Sequence, residues 1–252
     1  MRLRRLLCLF VGMSALVVAP STMAAAAATG SDPNVRPTIV GGTDANETYS
    51  FMASMQSTAG NHRCGSSLIT PTWVVTARHC VAGTSPSSLQ FRIGSNDRTQ
   101  GGTVVAARRI VTAPDGDVAV VQLAAAVRSA PIAIADSAPV GSPTRLLGWG
   151  QTCPVRGCGG LPVRLKQLDT TVLPDSRCRG IAGSLELCIS NVAGWQGACY
   201  GDSGGPAIIS VAGRWQLVGA TSRGTAGSCG VSPAIYSDVT AQRAWISRIV
   251  GS

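Results

Sequence analysis

The stretch ACYGDSGGP, Ala198–Pro206, places an acid and a serine among three glycines, between an aromatic residue and a proline. Three readings compete for it. Glycine, serine, aspartate and proline are the residues of tight turns, so it reads as a loop. Gly201, Ser203 and Gly205 also spell G-x-S-x-G, the elbow that exposes a nucleophilic serine between a strand and a helix. The third reading is a serine whose neighbouring backbone N–H groups point at a reacting carbonyl. The stretch alone does not choose, and the rest of the chain must.

The histidines decide the elbow question. The chain has two, His62 and His79, and both precede Ser203. An elbow hydrolase needs its histidine after the nucleophile, and it alternates strands with helices, which this chain does not. The order that remains is His, Asp, Ser. His79 lies in VVTARHC, where an apolar run on one side and a cysteine on the other would fix its ring as a general base requires. His62, in the polar GNHRC, reads as a solvated loop residue. PDGDVAVVQL offers Asp115 and Asp117 as the orienting acid. Asp117 runs directly into an apolar strand, where a carboxylate is costly unless hydrogen-bonded. Asp115 belongs to the turn and to solvent, so Asp117 is the choice.

The surrounding chain has the texture of an all-β protein. Its 252 residues are 45% hydrophobic and 13% charged, which excludes wholesale disorder, and 30 glycines with 14 prolines favour turns over long helices. Short runs such as WVVTA, LQFRI, VAVVQL, ELCIS, WQLVGATS and AIYSDV are separated by AGTSPSS, TQGG, APDGD and VAGR. This many short strands without intervening helices predicts a sandwich or barrel. The end differs. TAQRAWISRIVGS sets Ala241, Ala244, Trp245 and Arg248 at helical spacing behind Asp238 and Thr240, the expected N-caps of one C-terminal helix at about residues 240–250.

Arg2, Arg4 and Arg5 precede an apolar run from Leu6 to Ala19 and then STMAAAAATG, the pattern of a secretory signal peptide over residues 1–28 with cleavage within 24–28. The run is shorter than the roughly 20 residues a membrane span needs. The polar SDPNVRPT reads as part of a short propeptide, residues 29–38. Export fits the cysteines. Cys8 leaves with the signal, and the remaining eight read as four disulfides. Cys153 and Cys158 have no second close Cys or His pair to complete a zinc site, so no metal is expected. The formal charge of +9 is spread without aromatic interleaving, which disfavours nucleic acid as a partner. Lys166 is the only lysine among many arginines, a bias expected of a GC-rich bacterial genome.

IVGG at residues 39–42, TARHC at 76–80, DVAV at 117–120, GWG at 148–150 and GDSGGP at 201–206 occur in the order of the chymotrypsin/trypsin-like serine proteases, and the chain resembles that family from residue 39 onward. The resemblance implies two six-stranded antiparallel β-barrels, about 39–140 and 141–238, followed by the helix, with the peptidase domain spanning 39–252. It implies a catalytic triad of His79, Asp117 and Ser203, with Ser222 beside the aspartate. It places the oxyanion hole at the N–H groups of Gly201 and Ser203, where glycine lets a bound carbonyl approach. Cleavage after Thr38 would free the ammonium of Ile39 to pair with buried Asp202. The implied disulfides are Cys64–Cys80, Cys178–Cys188 and Cys199–Cys229, which leaves Cys153 and Cys158 to close a small local loop.

Several positions depart from the family pattern. Arg78 replaces a small residue before His79, and solvent is its expected surroundings. Arg223 stands in SRG where the family has tryptophan, which puts the substrate channel in question. Arg36 is followed by Pro37 and the residue before Ile39 is Thr38, so the activating protease is expected not to be trypsin-like. GSNDRTQGG lacks the acids of the family's calcium loop, and neither calcium nor another cofactor is expected. The specificity pocket carries over as Gly197, Ala198, Gly224 and Ala234, without a carboxylate. The expectation is a secreted, monomeric serine endopeptidase that cuts protein or peptide substrates after apolar residues. Protein inhibitors are candidate partners, and no membrane binding is expected after signal removal. The alternatives are a catalytically silent secreted binding homologue and an esterase-type hydrolase.

Overall fold

A computed structural model describes residues 39–251. The signal peptide and propeptide expected before Ile39 lie outside the described residues. Fourteen strands and two α-helices follow along this part of the chain. The first closed barrel is built from β2 (Met52–Ser57), β3 (His62–Thr70), β4 (Trp73–Thr76), β5 (Leu89–Ile93), β6 (Thr103–Thr112) and β7 (Ala119–Leu123), after a short β1 (Thr43–Asp44). Its strands are ordered β2-β3-β4-β7-β6-β5 and pair antiparallel throughout. β5 shows why such segments become strands: Leu89, Phe91 and Ile93 are buried while Gln90 and Arg92 are not, the period-two alternation of a sheet with one face on the core. β4 and most of β7 are buried along their length. They meet Met52, Met55, Leu68 and Phe91 in the barrel interior, where each large apolar side chain contributes about 1.5–3 kcal/mol.

The second barrel follows a short β8 (Ala133–Ile134). Its strands are β9 (Pro143–Gly148), β10 (Lys166–Leu173), β11 (Glu186–Ile189), β12 (Pro206–Val211), β13 (Arg214–Gly224) and β14 (Ala234–Asp238). Their order is β10-β11-β14-β13-β12-β9, and the ring closes by pairing of β9 with β10 over Pro143–Gly148 and Lys166–Thr171. Closure leaves no bare edge in either barrel. The β12–β13 hairpin turns on Ala212 and Gly213, at φ of 49° and 75°, and two consecutive left-handed residues match the right-handed twist of the flanking strands.

The division between barrels is less clean than the expected boundary near residue 140. Val40 bridges Gly197, β1 pairs with β10, and β8 runs parallel to β13, so these segments of the first half hydrogen-bond to the second barrel. Helix α1 (Arg78–Val81) is a single turn, and α2 (Arg243–Val250) is the C-terminal helix. The expected N-caps act one turn earlier. Asp238 Oδ1 accepts from the backbone of Thr240 and Ala241 and from the Thr240 hydroxyl, so it caps the preceding turn. The helix itself begins after Gln242, whose side chain makes no capping bond.

Candidate active site

The cleft begins where β4 ends. Arg78 is exposed, and His79 follows it on α1 with its neighbour Cys80 bonded to Cys64 of β3. That bridge spans a sequence separation of 16 and, in the chain-entropy account, contributes about 3 kcal/mol by constraining the unfolded chain. Asp117, just before β7, receives the backbone N–H of His79 on Oδ1 at 2.8 Å. Its Oδ2 lies 2.7 Å from His79 Nδ1 and accepts the Ser222 hydroxyl at 2.7 Å. Burial pushes the Asp117 carboxyl up, but the hydrogen bonds from His79 and Ser222 outweigh it and hold the group below its ordinary value. Asp115 is exposed. Asp117 is therefore an ionised acceptor on the inner side of His79, and the outer nitrogen of the ring lies 3.7 Å from Cys80 Sγ.

Ser203 reaches the same cleft from the second barrel, and with His79 it lines a cavity of about 340 Å³. No hydrogen bond joins His79 Nε2 to Ser203 Oγ here, and catalytic contacts of this kind commonly tighten only with substrate bound. The serine loop is locked onto the first barrel. Gly65 N–H donates to Ser203 O at 2.8 Å, and Thr76 Oγ1 donates to Gly65 O at 2.8 Å. A Cβ on Gly204 would fall 2.2 Å from Thr76 Oγ1 and 2.5 Å from Gly65 O, so only glycine allows this approach. Gly201 has φ of 100°, a conformation closed to most other residues. Among the described residues the N–H groups of Gly201 and Ser203 donate to no protein acceptor. Two free donors beside Ser203 can serve an anion that forms there.

Asp202, between those donors, is fully buried. Its carboxylate accepts the N–H of Gly150 at 2.7 Å and of Cys199 at 2.8 Å. Burial raises its pKa to about 7, and the two N–H donors only partly counter this. Gly148 and Gly150 of GWG are glycines for the same reason: a Cβ on either would overlap this carboxylate. Ile39 is buried, with φ of 33°, in a cluster with Leu146 and beside Ala198.

His62 departs from the expectation of a solvated loop residue. It opens β3, where Ser54 Oγ meets its Nδ1 at 2.7 Å and its Nε2 lies 3.0 Å from Gly201 O. A carbonyl only accepts, so Nε2 carries the proton and Nδ1 accepts from Ser54. Burial lowers its pKa to about 4, so the ring stays neutral and holds the carbonyl of Gly201, the residue whose own N–H is free. Polar neighbours in the sequence hid this role. The only available signal was the alternation of β3, which puts His62 and Cys64 on one face.

Gly197, Ala198, Gly224 and Ala234 all line the cavity, joined by Ser190, Asn191, Ser228 and Ser232, which the sequence reading missed. No Asp or Glu lines it. Arg223 lines the cavity too, but its guanidinium is held by other groups. Its guanidinium grips Glu186 at 2.5 and 2.9 Å and Gly180 O at 2.9 Å. The remaining bridges are Cys153–Cys158, Cys178–Cys188 and Cys199–Cys229. Among the described residues the one cluster with metal-ligand spacing is Cys64, His79 and Cys80, and both its sulfurs are spent in a disulfide.

Two β-barrels meeting at a Ser-His-Asp cleft define the class of a serine-type endopeptidase. The family model named Trypsin matches residues 39–246, and the chain belongs to that family. It is similar to trypsin theta of Drosophila melanogaster, 33% identical over 82% of this chain and 84% of the relative. It is similar also to the trypsin of Sarcophaga bullata, 31% identical over 83% and 88%. Trypsin delta of Drosophila erecta is 31% identical over 86% of this chain and 90% of its own length.

Proposed function

We propose that this chain is an exported precursor which, once cut before Ile39, hydrolyses proteins or peptides through an acyl-enzyme on Ser203, after apolar residues. His79 takes the Ser203 proton as Oγ attacks the carbonyl carbon. The developing oxyanion lies between the N–H groups of Gly201 and Ser203. His79 then gives the proton to the leaving amine, and water repeats the sequence on the ester. Asp117 holds the tautomer of His79 and stabilises its charged form. Ser222 supports Asp117. Export rests on the leader, and the short apolar run there argues against a span. Among the described residues no helix is long and apolar enough to cross a membrane.

The observation that carries the specificity is the pocket lining. Gly197 at its base and the surrounding Ala198, Ser190, Asn191, Ser232 and Ala234 supply no carboxylate. A lysine or arginine side chain buried there would lack a partner, at a cost of several kcal/mol. Leucine, methionine, phenylalanine and tyrosine are the expected residues before the cut. Activation rests on Asp202, an acid buried without a cationic partner among the described residues, which a freed Ile39 ammonium would neutralise. The test is a peptide library presented to mature enzyme. Dominant cleavage after apolar residues is expected, and cleavage after Arg or Lys exceeding that after Leu and Phe overturns the reading.

A further inference from the structure

The cleft mouth carries its charge unevenly. On the β13 side, Arg223 is neutralised by its two-point contact with Glu186. Arg156 lies over the Tyr200 ring, 4.6 Å from its centroid, and both residues also line the cavity. Arg156 is exposed and, among the described residues, has no carboxylate partner. Arg63, next to His62 on β3, is a second exposed arginine without a carboxylate among the described residues.

Arg156 sits on a braced loop. The Cys153–Cys158 bridge closes the loop. The side chain of buried Gln151 spans it from within, donating to Cys158 O at 2.9 Å and accepting from Gly157 N–H at 3.1 Å. Pro154 O accepts the N–H of Cys229, which is itself bridged to Cys199 next to Tyr200. A cation stacked on an aromatic face keeps its guanidinium edge available for a carboxylate.

We propose that Arg156 is a specificity-determining residue that recognises a carboxylate on the substrate, an Asp or Glu side chain lying near Tyr200 within a few residues of the scissile bond. The preferred substrate is then an apolar residue before the cut with an acid nearby. Arg63 adds long-range attraction of the same sign. The proposal rests on the peptidase reading above, but not on which residue fills the pocket.

The experiment uses mature enzyme and quenched peptides with leucine before the cut. Glutamate, glutamine or lysine is placed in turn at the three positions on either side. The readout is the ratio of kcat/KM for the glutamate and glutamine peptides, which cancels any general loss of activity in a variant. At one or more positions glutamate should be favoured about three- to fivefold, as expected of an exposed charge pair, and less so at high salt. Arg156→Gln should bring that ratio to one, and Arg156→Glu should invert it toward lysine. Arg63→Gln should reduce it only slightly. A ratio near one at every position, or a preference that survives Arg156→Gln, overturns the proposal. Failure of the pocket reading would look different: replacing leucine before the cut by lysine would speed cleavage, whatever residue 156 is.

Discussion

The two histidines belong to the same barrel and do opposite things. His79 is 44% exposed in its side chain, on a single helical turn, with its inner nitrogen on a carboxylate. His62 starts a strand, and its two nitrogens are spent on a hydroxyl and a backbone carbonyl. A carboxylate on one ring nitrogen fixes the orientation of the first ring and leaves its other nitrogen without a strong acceptor. Burial disfavours the charged form of the second ring, which is built to stay as it is. The type of partner, more than the residue itself, separates an oriented, half-open ring from a strut.

The comparison breaks most sharply at His79 and Ser203. His79→Ala and Ser203→Ala should each fold and lose about 10⁶ in kcat, measured with a leucine peptide on purified mature protein. Comparable turnover by either variant would remove the assignment. Asp117→Asn should cost about 10⁴, because the amide can no longer favour the productive tautomer. If the loss is instead below tenfold, the carboxylate is not what orients His79.

His62→Ala should act on kcat by about tenfold with little change in KM, through a loosened Gly201 peptide. His62→Gln, whose amide can still donate to Gly201 O, should recover part of that loss. An effect on KM alone, or no recovery with glutamine, would reduce His62 to ordinary packing.

The smallest effects are those of pH on stability, and they have opposite signs. The pKa of His62 is lowered to about 4, so its contribution is present above the unfolded value near 6.5 and is lost as pH falls through 4. The pKa of Asp202 in the uncut chain is raised to about 7, so its contribution is fully present below the unfolded value of 3.8 and is lost as pH rises through 7. In thermal melts of uncut Ser203→Ala protein the two opposed slopes should largely offset each other between about pH 4 and 6.5. His62→Gln should leave a Tm that falls as pH rises through this range, and Asp202→Asn one that falls as pH drops. Cleavage before Ile39 should act as Asp202→Asn does, since a new ammonium would keep the carboxylate ionised throughout. A profile unchanged by cleavage would count against the Ile39–Asp202 pair.

Much of this molecule was legible in order and spacing. Two histidines before Ser203 excluded the elbow, and alternation such as that of LQFRI marked strands, because both are properties of the chain itself. Asp117 was separable from Asp115 by the apolar run that follows it, since a carboxylate entering a strand must find donors. Motif order then carried the two barrels, which the pairing of β9 with β10 and of β2 with β5 closes. What only the tertiary structure decided are contacts between residues far apart in sequence. His62 looked solvated because its neighbours are polar, yet it is covered by Gly201, 139 positions away. Arg223 was free to point anywhere until Glu186, 37 positions away, fixed it beside the pocket. Asp238 and Thr240 were sound helix caps by local chemistry, and the chain used them one turn early. Propensity and motif act over a few residues, whereas the surroundings of a charge or a ring are set by whatever the fold brings against it.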